Sequence, residues 1–464
     1  MTRIDVGRVL TEDRRPVTST LAVVSLCLWG ALSLALSFVV SSDVGVLVLL
    51  AGTFLTTLFL LGGDDAVGLA FMLFAMSAIQ RAVFSLTGVG AALYLDDAVL
   101  VTMALMTVYR LFRSGRQARW LIVGGVLTVV AVGLGFARAT GTDIGIYQAR
   151  QVLVPAILVL FGSTLTRDEL LRLKPIVVTF GVIAALYALL EQLDFRPLDP
   201  STYGGFQSTG EMTTYGREFP GFYYYYYDGT NYFVRSGGFL LNPPSLGMYI
   251  AAALGWLWYG RDHAAPKLGA VFISVLLIAG TVVTMARGGF VILAVLLLQP
   301  WILRKAGKLG FLVVGGALAA VAFSQFVTAG NSAKHSDGAL YGFTYSLTNP
   351  LGGGFGTAGN AVHTLTEEVG EAGESLTTVF LTACGWIALA LVLALLYRGL
   401  ARRGGIPGAA LTAALVVAVF SETAAGLDAA AFIWVLGGAA LGRMGMPHQT
   451  SGQAPTSAHE SVRG

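Results

Sequence analysis

The sequence predicts an all-α polytopic integral membrane protein, with about fourteen transmembrane helices and two long extracytoplasmic loops. Three observations carry that prediction. Mean hydropathy is +0.72, with 55% of the 464 residues hydrophobic and only 12% charged. The apolar residues gather in runs of about 20, the length that a spanning helix needs. Lys and Arg cluster in alternate connecting loops, although the net charge is only +3; this is the pattern of the positive-inside rule.

Residues 1–17 are polar and basic, with no cleavable signal, and the first apolar run follows as a signal anchor. Spans are expected near 18–40, 44–61, 66–86, 97–112, 119–137, 150–165, 175–192, 239–259, 268–286, 289–303, 309–327, 374–397, 406–423 and 428–442. The basic loops 110–119, 167–174, 261–267, 304–308 and 398–403 then share a side with the N-terminus, so both termini are expected to be cytoplasmic. The loop Gly62–Asp65 falls on that side but carries acids, and Gln80-Arg81 interrupts the third span. Residues 18–442 thus read as one membrane domain, and 443–464 as a disordered cytoplasmic tail rich in Ser, Gln, Ala and His. The same alternation places 193–238 and 328–373 outside. Loops that long, with few aliphatic runs, are usually functional or disordered. No internal repeat is evident, which counts against transporter folds built from repeated halves.

Several functions find no support. Cys27 and Cys384 lie in apolar segments and read as small buried hydrophobes. There is no Walker A motif, no dinucleotide fingerprint and no zinc spacing, and nothing suggests a nucleic-acid partner. Asp96-Asp97 has the look of a metal diad, but no second acidic cluster lies on its side, since Asp64-Asp65 falls on the other. No metal or other cofactor is expected.

In so apolar a chain the polar exceptions carry the chemistry. RSGGFLLNPPSL, Arg235–Leu246, lies where a polar loop re-enters an apolar run. Asn242 suits a helix cap, and Pro243 and Pro244 suit a first turn. Free N–H groups and the positive end of that helix, beside Arg235, outline an anion site fit for a phosphate. Arg287, in TMARGGF, and Arg150, in YQARQVLVP, fall at the same outer level. Boundary arginines are costly and grip phosphate oxygens bidentately. The bland readings are lipid-headgroup contacts and structural ion pairs; they weigh equally for Arg150 and more for Arg138, Arg196 and Arg217. Glu374 sits where the second loop enters a span, and partial desolvation there suits a general base; its bland reading is a helix-start carboxylate. His335 is the rival base or a substrate-binding group, and His363 is a loop residue that could touch a glycan. Tyr225 and Tyr227, in the run Tyr223–Tyr227, suit either sugar stacking or anchoring at the interface.

At four places the chain resembles the O-antigen ligase and polymerase superfamily of bacterial envelope glycosyltransferases. RSGGFLLNPPSLG is similar to that family's Arg-x-x-Gly, Asn-Pro-Asn, Gly segment, with Pro244 where Asn is commoner. TMARGGFVILAVLLL is similar to its Ser-Arg turn into a span, with Ala286 in place of Ser. KHSDGALYGFTYSLTNPLGGGFG resembles the His and Asn-Pro-Leu-Gly loop of polymerase-like members, and GESLTTVFLTACGWIAL the segment beginning His-Asn or Glu-Ser. The resemblance covers Arg235–Leu391. It implies a polysaccharide polymerase or ligase of the bacterial cytoplasmic membrane. The donor would be a glycan on undecaprenyl diphosphate, presented at the outer leaflet, and the acceptor a hydroxyl of a glycan or glycolipid. It implies neither nucleotide nor metal. Arg235, Arg287 and Arg150 would hold the diphosphate, and Glu374 or His335 would be the base. Ligases often carry His at the position of Glu374, so the departure tilts toward a polymerase. Chain-length and export proteins, besides membrane lipids, are candidate partners. Two other classes remain: a lipid-linked oligosaccharide flippase or exporter, which should carry charge at mid-span, and a non-catalytic partner of an export complex.

Overall fold

The computed structural model describes residues 17–114, 119–198, 223–226, 232–260, 268–327, 333–359, 375–401 and 405–442. Its helices are α1 (Val17–Val39), α2 (Ser42–Gly62), α3 (Ala66–Thr87), α4 (Leu95–Arg113), α5 (Arg119–Ala137), α6 (Thr142–Thr164), α7 (Arg167–Glu191), α8 (Pro243–Trp258), α9 (Leu268–Thr284), α10 (Arg287–Val327), α11 (Ala333–Thr348), α12 (Leu376–Ala401), α13 (Ile406–Phe420) and α14 (Leu427–Gly442). Two short strands, β1 (Tyr224–Tyr226) and β2 (Tyr232–Val234), pair antiparallel with Tyr225 opposite Phe233.

Among the described residues nine helices are long and apolar enough to cross a membrane: Ala22–Val39, Ser42–Gly62, Ala66–Thr87, Gly90–Arg113, Arg119–Ala137, Thr142–Thr164, Arg167–Glu191, Arg287–Gly307 and Leu376–Leu400. Leu268–Thr284, Ile406–Phe420 and Leu427–Gly442 are shorter apolar helices. The chain is therefore an all-α, multi-pass membrane protein.

The core belongs to two short helices. α8 and α14 are buried on almost every side, which fits sequences apolar all round. α8 packs against α7, α9, α10 and α14, and α14 also against α6 and α13. Small residues allow the close approach. A Cβ at Gly162 of α6 would stand 3.0 Å from the Val435 Cα and closer still to its carbonyl, and one at Gly438 would stand 3.0 Å from the Val159 Cα. Small residues at interfaces let helix backbones come together in lipid, where hydrophobic burial supplies little drive.

Two expectations need correction. The stretch 333–348, expected as part of a structureless loop, is the helix α11. It lies against α12, and Tyr341 meets Tyr345 one turn on with ring centroids 5.5 Å apart; its many polar residues mask that pairing in a hydropathy reading. The basic connection 304–308, by contrast, does hold a break: two helices meet across a kink at Gly307, φ 66°. Cys27 is exposed on the outside of α1, whereas Cys384 is buried. The segments 1–16 and 443–464 lie outside the described residues.

One end of the bundle is stapled by Arg110. Its Nε donates to Asp64 at 2.7 Å and its Nη2 to Glu169 at 2.9 Å. Thr166 and Glu169 close a capping box at the start of α7. The acidic loop that broke the charge pattern thus finds its counter-ion in a neighbouring basic loop.

Gly162→Val should lower folded yield and melting temperature in detergent, since overpacking costs about 1–3 kcal/mol. Gly133→Ala, with nothing within 4 Å of the added atom, should be neutral or should stabilise by about 0.5–1 kcal/mol. Size-exclusion thermal melts compare them; equal behaviour would contradict the close α6–α14 packing.

Candidate functional site

At the other end of the bundle the polar segments are built into one another. The turn after β2 starts with Arg235, whose N–H donates to the Tyr223 carbonyl at 2.8 Å. Ser236 donates its N–H to Val283 O at 3.2 Å, at the end of α9. Its hydroxyl donates to Ala188 O and accepts from Gln192 Nε2, both at 2.7 Å. Glu191, 2% exposed at the end of α7, accepts from the Gly238 N–H at 2.7 Å. Phe239 packs edge-on against Tyr187 and Tyr249, and Tyr249 meets Phe432 at 4.3 Å.

The chain then enters α8. Leu241 takes the left-handed conformation, φ 50°. Asn242 caps the helix by accepting from the Ser245 N–H at 3.0 Å, and Pro243 and Pro244 occupy the first turn. The Thr284–Arg287 turn lies directly against this helix. Gly247 meets Ala286 and Thr284, and a Cβ at Gly289 would stand 2.8 Å from the Gly247 carbonyl oxygen. Arg287 is the exposed first residue of α10. The Arg235 turn thus touches the end of α9 through Ser236 and Val283, one residue ahead of the Thr284–Arg287 turn, although 52 positions separate the two arginines in the sequence (287 − 235).

Beside them lies a charged group. Arg81 of α3 pairs with Asp428 of α14 at 2.6 Å and donates to Leu240 O at 3.0 Å. Arg150 of α6 pairs with Asp97 of α4 at 2.9 Å. Asp96 is buried and accepts from Gln80 at 2.7 Å.

The glycine-rich loop Asn349–Gly359 is inserted into a break in α12. Gly385 interrupts that helix at φ 59°, and a Cβ there would stand 2.6 Å from the Gly352 nitrogen. Trp386 N donates to Pro350 O at 2.9 Å and Gly353 N to Thr382 O at 2.8 Å. Gly352, Gly354, Gly356 and Gly359 all have positive φ, a conformation that costs glycine little and other residues much. Gln148 of α6 clamps the loop, accepting from Gly356 N at 2.8 Å and donating to Ala358 O at 2.6 Å. Arg138 donates to Leu351 O and Gly352 O, each at 3.2 Å.

Arg235 and Arg287 thus lie next to two backbone segments that touch, Asn242 caps α8, and Arg150 stands as half of an ion pair with Asp97. Tyr225 lies in β1. His335 lies in the first turn of α11, its side chain outside the described residues. Glu374, His363 and Tyr227 also lie outside them. Ser375, next to Glu374, starts α12 by accepting from the Thr378 N–H at 3.1 Å and donating to Ala418 O at 3.1 Å. Sequence reasoning missed Glu191, Asp428, Gln148 and Glu422, the last an acceptor for Gln151 at 3.2 Å. Their signal was present: polar groups at the margins of apolar runs are costly, so each needs a partner or a task. No family model, no curated protein and no solved structure matches the chain.

Asp428→Ala should cost about 3–5 kcal/mol, because it removes the buried counter-ion of Arg81, itself only 15% exposed. Arg81→Met combined with Asp428→Leu should recover part of that loss. Thermal unfolding of the three proteins checks this; a silent Asp428→Ala would mean that Arg81 needs no counter-ion.

Proposed function

We propose that this protein is a glycan polymerase or ligase. It transfers a glycan from an undecaprenyl diphosphate carrier to an acceptor hydroxyl, at the outer face of the bacterial cytoplasmic membrane. The observation that carries this reading is the bond from Ser236 to Val283, which fastens the Arg235 turn just ahead of the Arg287 turn, beside the capped start of α8. Two guanidiniums and a helix N-terminus turned to one ligand would suit a diphosphate leaving group, where charge accumulates in the transition state. Arg150 is a secondary ligand, since an anion must compete with Asp97 for it. Glu374 or His335 takes the proton of the acceptor hydroxyl, and Tyr225, Tyr227 and His363 contact glycan. The proposed topology has fourteen spans, both termini cytoplasmic, and 193–238 and 328–373 outside.

A second reading is favoured by one observation. The Arg81–Asp428 pair places charge within the helices, as an exporter of lipid-linked oligosaccharide would need. These groups lie near helix ends at the level of the Arg235 turn, which suits a surface site better than a mid-membrane path.

The purified protein should extend or transfer a lipid-diphosphate glycan without nucleotide and in excess EDTA. Arg235→Ala and Arg287→Ala should each abolish transfer at normal protein levels, with Arg→Lys intermediate because the bidentate fork is lost. Wild-type turnover in Arg287→Ala would sink the diphosphate site, and flipping without transfer would favour the exporter.

Loss of the base is expected to cost about 10²–10⁴ in rate. Glu374→Gln should show that loss and His335→Ala a smaller one; the reverse order makes His335 the base. Topology reporters after Tyr227 and Asn360 should read extracytoplasmic, and those after Arg116 and Lys308 cytoplasmic.

A further inference from the structure

Asp96 stands in a group whose charges do not balance. It is fully buried at the start of α4. Three charged groups act on it, Asp97 on its own helix, Arg150 of α6 and Asp428 of α14, and Arg81 of α3 joins the group through Asp428. Each arginine already holds a carboxylate, Arg81 with Asp428 at 2.6 Å and Arg150 with Asp97 at 2.9 Å. Asp96 lies in the electrostatic field of Asp97, Arg150 and Asp428. With every group ionised, three aspartates face two arginines, and the excess is one negative charge. The first turn of α4 offers some positive potential, but Asp97 shares that turn.

The hydrogen bonds point the same way. Asp96 Oδ2 accepts from Gln80 Nε2 at 2.7 Å and from Ser77 Oγ at 3.4 Å. Both donors are neutral. Among the described residues Asp96 Oδ1 accepts nothing, and neither does Gln80 Oε1, although Gln80 is only 7% exposed. A carboxylate and an amide carbonyl can only accept, so the pair lacks a donor hydrogen. A buried, unpaired ionised carboxylate is costly, and such groups neutralise instead. One proton on Asp96 cancels the excess charge and supplies the missing donor.

We propose that Asp96 is a proton-binding site of this protein. Its carboxyl group holds a proton at rest and, on releasing it, competes with Asp97 for Arg150. Proton release is thereby linked to the contact between α4 and α6. This inference is independent of the activity proposed above and serves a transferase or an exporter equally.

Infrared spectroscopy of the full-length protein in lipid nanodiscs tests it. At neutral pH the wild type should show the C=O band of a protonated carboxyl in an apolar site. Asp96→Asn should remove that band, and Gln80→Ala, which keeps the carboxyl but deletes its neighbour, should shift it. Asp96→Asn, the nearest uncharged shape, should also keep the wild-type melting temperature, whereas Asp428→Asn should lower it. If Asp96→Asn does not fold, the Gln80→Ala shift decides alone. A wild-type spectrum without the band overturns the proposal, as does a band that neither variant changes. Loss of the band on adding sodium at fixed pH also overturns it, in favour of a metal-cation site.

Discussion

The architecture depends on the side chain of Arg81. It reaches from α3 to Asp428, the second residue of α14, and to the carbonyl of Leu240, just ahead of α8. α8 and α14 are the two most deeply buried helices, and both begin at this one guanidinium. A buried arginine is tolerated only where its charge and its donors are met. Meeting them fixes where the two core helices start relative to α3. The aromatic contacts Phe74–Phe432 and Tyr249–Phe432, at 4.4 and 4.3 Å, then lock the same three helices together. The interruption of the third span that Arg81 makes in the sequence is not a break in the fold, because α3 runs through it.

From that anchor the rest of the polar end follows. With the start of α8 held, the Arg235 turn is fastened from the other side by Glu191 and Gln192 of α7. The Arg287 turn is pressed against Gly247, which leaves room for the side chains of Ala286 and Thr284. The glycine-rich loop is set separately, in the break of α12, with Gln148 reaching across from α6. Each of these devices uses a polar side chain to satisfy backbone groups that have no helix to belong to. Irregular backbone at membrane depth is tolerable only when buried in protein or lining a cavity. These turns are rigidly placed, and a rigid frame is what positioned arginines require.

The opposite end is simpler. Arg110 binds the α2–α3 connection and the first turn of α7, so three helices are tied by one residue. The two ends thus differ in kind: one is stapled for stability, the other is assembled from turns and paired charges.

The sequence by itself determined the class of the protein and several local structures. Apolar runs and basic loops were enough for a multi-pass all-α chain, because the cost of exposing backbone or charge to lipid acts on every residue alike. The start of α8 was legible for the same local reason: Asn242, Pro243 and Pro244 carry their own geometry. Tertiary structure alone decided which polar groups meet. Arg81 with Asp428, Arg150 with Asp97 and Gln148 with Gly356 are separated by 347, 53 and 208 positions, and no period or spacing encodes such partners. The helix α11 was hidden likewise, since it depends on neighbours more than on propensity. A local pattern reports what a segment must avoid; only packing reports what it touches.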